Sequence, residues 1–140
     1  MSENERFEQI SVGDSIPQLS LPPIDKVGLA MYAGASGDFN PIHLDEDQAT
    51  ANGLPGIIAH CMLSMALLGR VLTEWVPQRN IRSFSTRFVA MAVLGDVITC
   101  KGTVTAKSEE GGEKLVDLAL TAENQKGEKT LVGTARVAMP

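Results

Sequence analysis

Asp38 and His43, in the stretch SGDFNPIH from Ser36 to His43, are the residues whose types and spacing best suit acid–base chemistry. The chain has only two histidines, and this one stands five residues after an aspartate. Pro41 fixes its own φ and drives Asn40 into an extended conformation, so the segment cannot continue a helix and must turn. A tight turn brings carboxylate and imidazole toward one point, with Phe39 and Ile42 available as apolar anchors. Such a pair can hold a water: the carboxylate accepts a hydrogen bond, and the ring exchanges a proton near neutral pH. Spacing alone favours a plainer reading, in which Asp38 caps a helix or a turn.

Hydrating a carbon–carbon double bond also needs a conjugated carbonyl in the substrate and a donor for the enolate oxygen. The apolar run IIAHCMLSMALLGRVL, Ile57 to Leu72, is expected to be a helix, and its start offers free N–H groups near His60 and Cys61. His60 itself reads as a hydrogen-bonded core histidine, with Ser64 one turn on as its neighbour. The acidic run LDEDQA reads as a short helix start with Asp45 as its cap and Asp47 favoured by the dipole. No metal is expected, because hard-cation loops need more closely arrayed oxygens and His43 alone is no zinc set.

The elements that must position these groups follow from periodicity. Ile98, Cys100, Val104 and Ala106 alternate, as do Val116, Leu118, Leu120 and Ala122, then Leu131, Ala135, Val137 and Met139. The polar, glycine-bearing links SEEGGEK and NQKGEK make these antiparallel hairpins. A fourth strand is expected over Ile81 to Val89, with Phe84 and Phe88 on one face. IDKVGLAMYAGAS reads as a short helix weakened by Gly28 and Gly34.

Ile57 to Leu72 is apolar all round, so it is expected to be buried on every face. At 16 residues with Arg70 inside, it falls short of the roughly 20 that a membrane span needs. A single domain over residues 1–140 can enclose such a helix only if an antiparallel sheet wraps it, which is the α+β hot dog fold. One sheet leaves two edges, and dimerisation is the economical cover.

Hydrophobic residues at 44% and charged residues at 21% suit a soluble domain, and a net charge of −5 with 12 Lys and Arg argues against nucleic acid as a partner. The polar start MSENERFEQI lacks a secretory pattern, so the cytoplasm is the expected compartment. Cys61 and Cys100 have no metal or disulfide spacing and are expected to be buried thiols. Arg79, Arg82, Arg87 and Lys101 are candidates for a basic patch that could receive an acidic carrier protein.

The stretch YAGASGDFNPIHLDEDQA, Tyr32 to Ala49, closely resembles the hydratase motif of the MaoC-like family of R-specific enoyl-CoA hydratases and (3R)-hydroxyacyl-thioester dehydratases. Supporting similarity extends through VGD at Val12 to Asp14, IIAHCMLSM at Ile57 to Met65, and RFVAMAVLGDVIT at Arg87 to Thr99. The chain length and GRVLTEWV also resemble the catalytic subunits of mycobacterial-type hydroxyacyl-ACP dehydratases.

The resemblance implies a dimer of hot dog units, either a homodimer or a heterodimer with another such subunit. It also implies Asp38 and His43 as the catalytic pair, and Asn40 as a contact to water or substrate. The family's His-Gly is His60-Cys61 here, so the oxyanion donor becomes the Cys61 backbone N–H, with a side chain where the family has none; Ala92 stands where the family often has proline. The implied reaction is reversible hydration of a trans-2-enoyl thioester, carried on CoA or acyl carrier protein, to the (3R)-hydroxyacyl thioester, with no cofactor. Two rivals are an acyl-CoA thioesterase on the same scaffold and a non-catalytic subunit that shapes a neighbour's acyl pocket.

Overall fold

The computed structural model describes residues 7–140; most of the N-terminal stretch read for a secretory pattern lies outside the described residues. The chain forms β1 (Leu19–Ser20), α1 (Lys26–Ser36), a 3₁₀ turn (Pro41–His43), α2 (Glu46–Ala51), α3 (Cys61–Thr73), β2 (Ile81–Phe88), β3 (Thr99–Glu110), β4 (Glu113–Glu123) and β5 (Lys129–Met139). The five strands make one antiparallel sheet in the order β1-β3-β4-β5-β2, with α3 packed against it. This is the expected α+β hot dog arrangement.

The alternating residues explain the sheet. Cys100 and Val104 on β3, Val116, Leu118, Leu120 and Ala122 on β4, and Leu131, Ala135 and Val137 on β5 are all buried on the face that α3 covers. Each fully buried aliphatic side chain contributes about 1.5–3 kcal/mol. The β3–β4 hairpin turns through Gly111 and Gly112, whose φ values of 58° and 79° are those that a tight two-residue hairpin loop requires. A register shift between Val104 and Ala106 interrupts the β3 alternation, which leaves Ala106 half-buried. Phe84 and Phe88 share a face as expected, opposite Ala135 and Leu131 of β5, but only Phe84 packs on the core, whereas Phe88 at the strand end is 47% exposed.

Three expectations about α3 and the thiols need correction. The helix starts at Cys61, not Ile57, because the backbone of the preceding residues is spent elsewhere. The Ile57 N–H donates to Glu46 Oε2 (3.2 Å), Ile58 N–H to the Ile42 carbonyl (3.3 Å), and Ala59 N–H to the Ala92 carbonyl (2.8 Å). Ile57 to His60 is therefore an extended bridge between the Asp38 loop and the segment before β3. Nor is α3 buried on every face: Leu68, Val71 and Leu72 point into the core, whereas Cys61, Met62 and Ala66 are exposed. Of the two thiols, only Cys100 is buried, and burial pushes its pKa up to about 11.

The basic residues do not form one patch. Arg82 on β2 pairs with Glu113, while Lys101 on β3 pairs with Glu123 at 3.0 Å, and two strands lie between β2 and β3. Among the described residues, no helix is long and apolar enough to cross a membrane.

Candidate functional site

The site grows out of the end of α1. Gly37 adopts φ 77°, a left-handed conformation that L side chains resist, and its N–H closes the helix on the Ala33 carbonyl at 2.9 Å. Ser36 Oγ donates to the Tyr32 carbonyl (2.7 Å) and accepts from the Asp38 N–H (3.2 Å). Asp38 is thus launched away from the helix. Asn40 is extended before Pro41, as the proline demands, and its Oδ1 accepts from the Ile42 N–H (3.2 Å), capping the 3₁₀ turn that carries His43. The Asn40 N–H in turn donates to Asp38 Oδ1 (3.3 Å). Ile42 is half-buried, as an apolar anchor would be, but Phe39 is 63% exposed.

These local bonds set Asp38 Oδ2 3.8 Å from His43 Nε2. The carboxylate is half-exposed and the imidazole buried. The His43 tautomer follows from its other nitrogen. Nδ1 lies 2.8 Å from the Ile58 carbonyl, which can only accept, so Nδ1 carries the proton and Nε2 presents a lone pair to Asp38. Two acceptors therefore face each other beyond direct hydrogen-bond range. A water about 2.8 Å from each can donate one proton to the carboxylate and one to the ring.

His60 lies 1% exposed beneath this pair. Its Nε2–H donates to the Asp38 carbonyl (3.1 Å), its ring stacks on His43 at 3.9 Å with a 26° interplanar angle, and it meets Tyr32 edge-on at 4.7 Å. The His60 ring thus donates to the Asp38 carbonyl, whereas Ser64, one turn on, meets His60 only through its N–H to the His60 carbonyl (3.1 Å). Asp38, His43 and His60 have ligand atoms within 4.8 Å of one another. A metal about 2.1 Å from both imidazoles would have to lie in two near-parallel planes a ring-stack apart, so the rings are poorly set to share one.

Burial holds the His60 pKa below its ordinary 6.5, against the hydrogen bond that the ring donates to the Asp38 carbonyl; nearby His43 lowers it further. Below pH 6.5 the unfolded chain therefore binds more protons at this residue than the folded one, and its share of stability is lost as pH falls. Thermal midpoints between about pH 8 and about pH 5 are expected to drop less steeply for His60→Phe than for the unchanged protein. Equal slopes would contradict this.

α3 begins one residue later. His60 provides no side-chain cap, and the Cys61 N–H, as the first of the helix, has no intrahelical acceptor. That N–H and the positive end of the helix dipole adjoin the stacked histidines in sequence.

Sequence reasoning placed Asp38, His43, Asn40 and Cys61, and the structure gathers the first three in one loop, with Cys61 next to His60. It missed the Ile58 carbonyl that sets the His43 tautomer, the Glu46 carboxylate that holds the Ile57 bridge, and the contacts of His60. All three depend on partners eleven or more residues away.

The sequence model of the MaoC like domain matches residues 10–126. The chain belongs to the MaoC-like domain family. This MaoC-like chain is 32% identical over 136 residues to the (R)-specific enoyl-CoA hydratase of Rhodospirillum rubrum, covering 96% of this chain and 91% of that protein. It is 33% identical over 118 residues, 78% of its length, to Fatty acid synthase 2 of Mycosarcoma maydis, of which it spans only 3%. Among solved structures, the (R)-hydratase from A. caviae involved in PHA biosynthesis superposes with a TM-score of 0.82 at 27% identity, over 95% of this chain and 99% of that one.

Proposed function

We propose that this MaoC-like chain catalyses reversible syn hydration of trans-2-enoyl thioesters to (3R)-hydroxyacyl thioesters, on CoA or acyl carrier protein. The observation that carries the reading is the pair of opposed acceptors, Asp38 Oδ2 and His43 Nε2, 3.8 Å apart. In the proposed reaction they orient and deprotonate one water. Its oxygen bonds to C3, the thioester carbonyl takes the electron pair as an enolate held by the Cys61 N–H, and a proton from the same pair reaches C2. Asn40, which ties Asp38 to the turn, completes the proposed set and contacts the water or substrate. No redox or metal step is needed for this addition.

Support also comes from the R. rubrum and A. caviae proteins, both named as R-hydratases. The test is incubation with crotonyl-CoA and mass analysis of the product. Gain of one water with the thioester intact supports hydration; release of free thiol would instead indicate a thioesterase. No turnover by the isolated chain or its dimer would favour the non-catalytic subunit.

The reading includes a second hot dog subunit, either a copy of this chain or a related one. β2 is an eight-residue edge strand, and Met62, Phe88, Val89 and Met91 leave apolar surface uncovered near it and on α3. Light scattering at micromolar concentration is expected to give the mass of two chains, and a monomeric mass would count against self-association.

A further inference from the structure

His60 is more tightly engaged than a core histidine needs to be. It stands at the last residue before α3 and touches three separate parts of the site: the Asp38 backbone through Nε2–H, the His43 ring by stacking, and Tyr32 of α1 edge-on. Its remaining nitrogen, Nδ1, is buried and has no hydrogen-bond partner among the described residues. A buried acceptor left unsatisfied costs about 1–3 kcal/mol, so an apolar ring would serve packing better. The cost is understandable if the opposite nitrogen has a task that an apolar ring cannot perform.

That task is geometric. The Asp38 carboxylate is half-exposed, its N–H and Oδ1 bond only to neighbours in the loop, and among the described residues the His60 bond is the one that fastens the Asp38 backbone to the protein interior. His43 is held from one side by the Ile58 carbonyl and from its face by the His60 ring. Because His60 also precedes the Cys61 N–H directly, one side chain links the water-holding pair to the start of α3. The titratable groups facing it are Tyr32 from α1 and Asp38 and His43 from the loop. A second proton on His60 would sit on Nδ1 with no acceptor among the described residues, which disfavours a charged ring and leaves the positive charge that develops in the reaction to His43.

We propose that His60 is a positioning residue for the hydration: its Nε2–H bond to the Asp38 carbonyl and its stack on His43 fix the separation of the two groups that hold the water. The proposal rests on the hydratase reading above. Misplacement of a reacting group by about 1 Å can cost up to about 100-fold, and a loss of roughly tenfold to 100-fold in kcat is expected for His60→Phe, with KM little changed. His60→Gln, which keeps a donor near the Nε2 position, is expected to recover part of the loss.

A double-mutant cycle separates positioning from general stability. If His60 acts through Asp38, His60→Phe should lower kcat by less than about twofold in an Asp38→Asn background, because the group it positions is already disabled. A merely structural role would give the same loss in both backgrounds, with a matching fall in thermal midpoint. The cycle run with His60→Gln gives the same reading where His60→Phe is not folded. Wild-type kcat in both His60 variants, or equal losses in both backgrounds, would overturn the proposal. Wild-type kcat in Asp38→Asn alone would instead overturn the hydratase reading on which it rests.

Discussion

Asp38→Asn is expected to lower kcat for hydration of crotonyl-CoA by about 10²- to 10⁴-fold, the usual contribution of general acid–base catalysis, with KM little changed. The substitution preserves shape and leaves an oxygen that can still accept from the Asn40 N–H, so the loop should keep its course. What changes is the chemistry facing His43. The His43 Nε2 lone pair now meets an amide N–H instead of a second acceptor. Donor and acceptor can then close on each other, and a water that needs two acceptors loses its place. His43→Gln should cause a comparable loss, because glutamine cannot take up the water's proton. The two losses should not multiply in the double variant, since either change disables the same water. Steady-state rates of the three variants check this, and near wild-type rates in both single variants would contradict it.

The second large effect concerns a single backbone hydrogen. Cys61→Pro removes the proposed oxyanion donor and little else. Proline is well suited to the first position of a helix, where the N–H has no intrahelical partner. The residue before it must be extended, and His60 already is, at φ −58° and ψ 131°. Losing one oxyanion donor typically costs about 10²–10³ in kcat, or about 2.7–4 kcal/mol. Cys61→Pro is expected to fall in that range with an unchanged thermal midpoint. Cys61→Gly keeps the N–H while deleting the exposed side chain and should retain activity. Equal rates in the proline variant and the unchanged protein would remove Cys61 from the mechanism.

Local chemistry decided what could be read before the structure. The Asp38–His43 approach was legible because it is made by neighbours: Gly37 ends α1, Pro41 extends Asn40, and Asn40 caps the turn. The β3–β4–β5 sheet was legible for the same kind of reason, a two-residue period joined by short glycine-bearing links. Ile57 to His60 was misread as helix because three of its N–H groups find tertiary partners that no local pattern announces. β1 went unread, being two residues long and recognisable only by its pairing with β3.

The exposure of Cys61 and Met62 was likewise hidden, since an apolar run says that a helix prefers burial, not which chain supplies it. Arg82 and Lys101 looked alike as cations in the sequence but lie on strands that two others separate, each with its own acidic partner.

The central claim is that one water, held between Asp38 and His43, supplies both the oxygen at C3 and the proton at C2 from the same side of the substrate. The most direct measurement is hydration of crotonyl-CoA in D₂O, with the configuration at C2 and C3 of the product determined by NMR. A single (3R) product carrying one deuterium at C2, added syn to the hydroxyl, is the expected result. Anti addition, a (3S) product or a mixture of C2 diastereomers formed in the first turnover would contradict it.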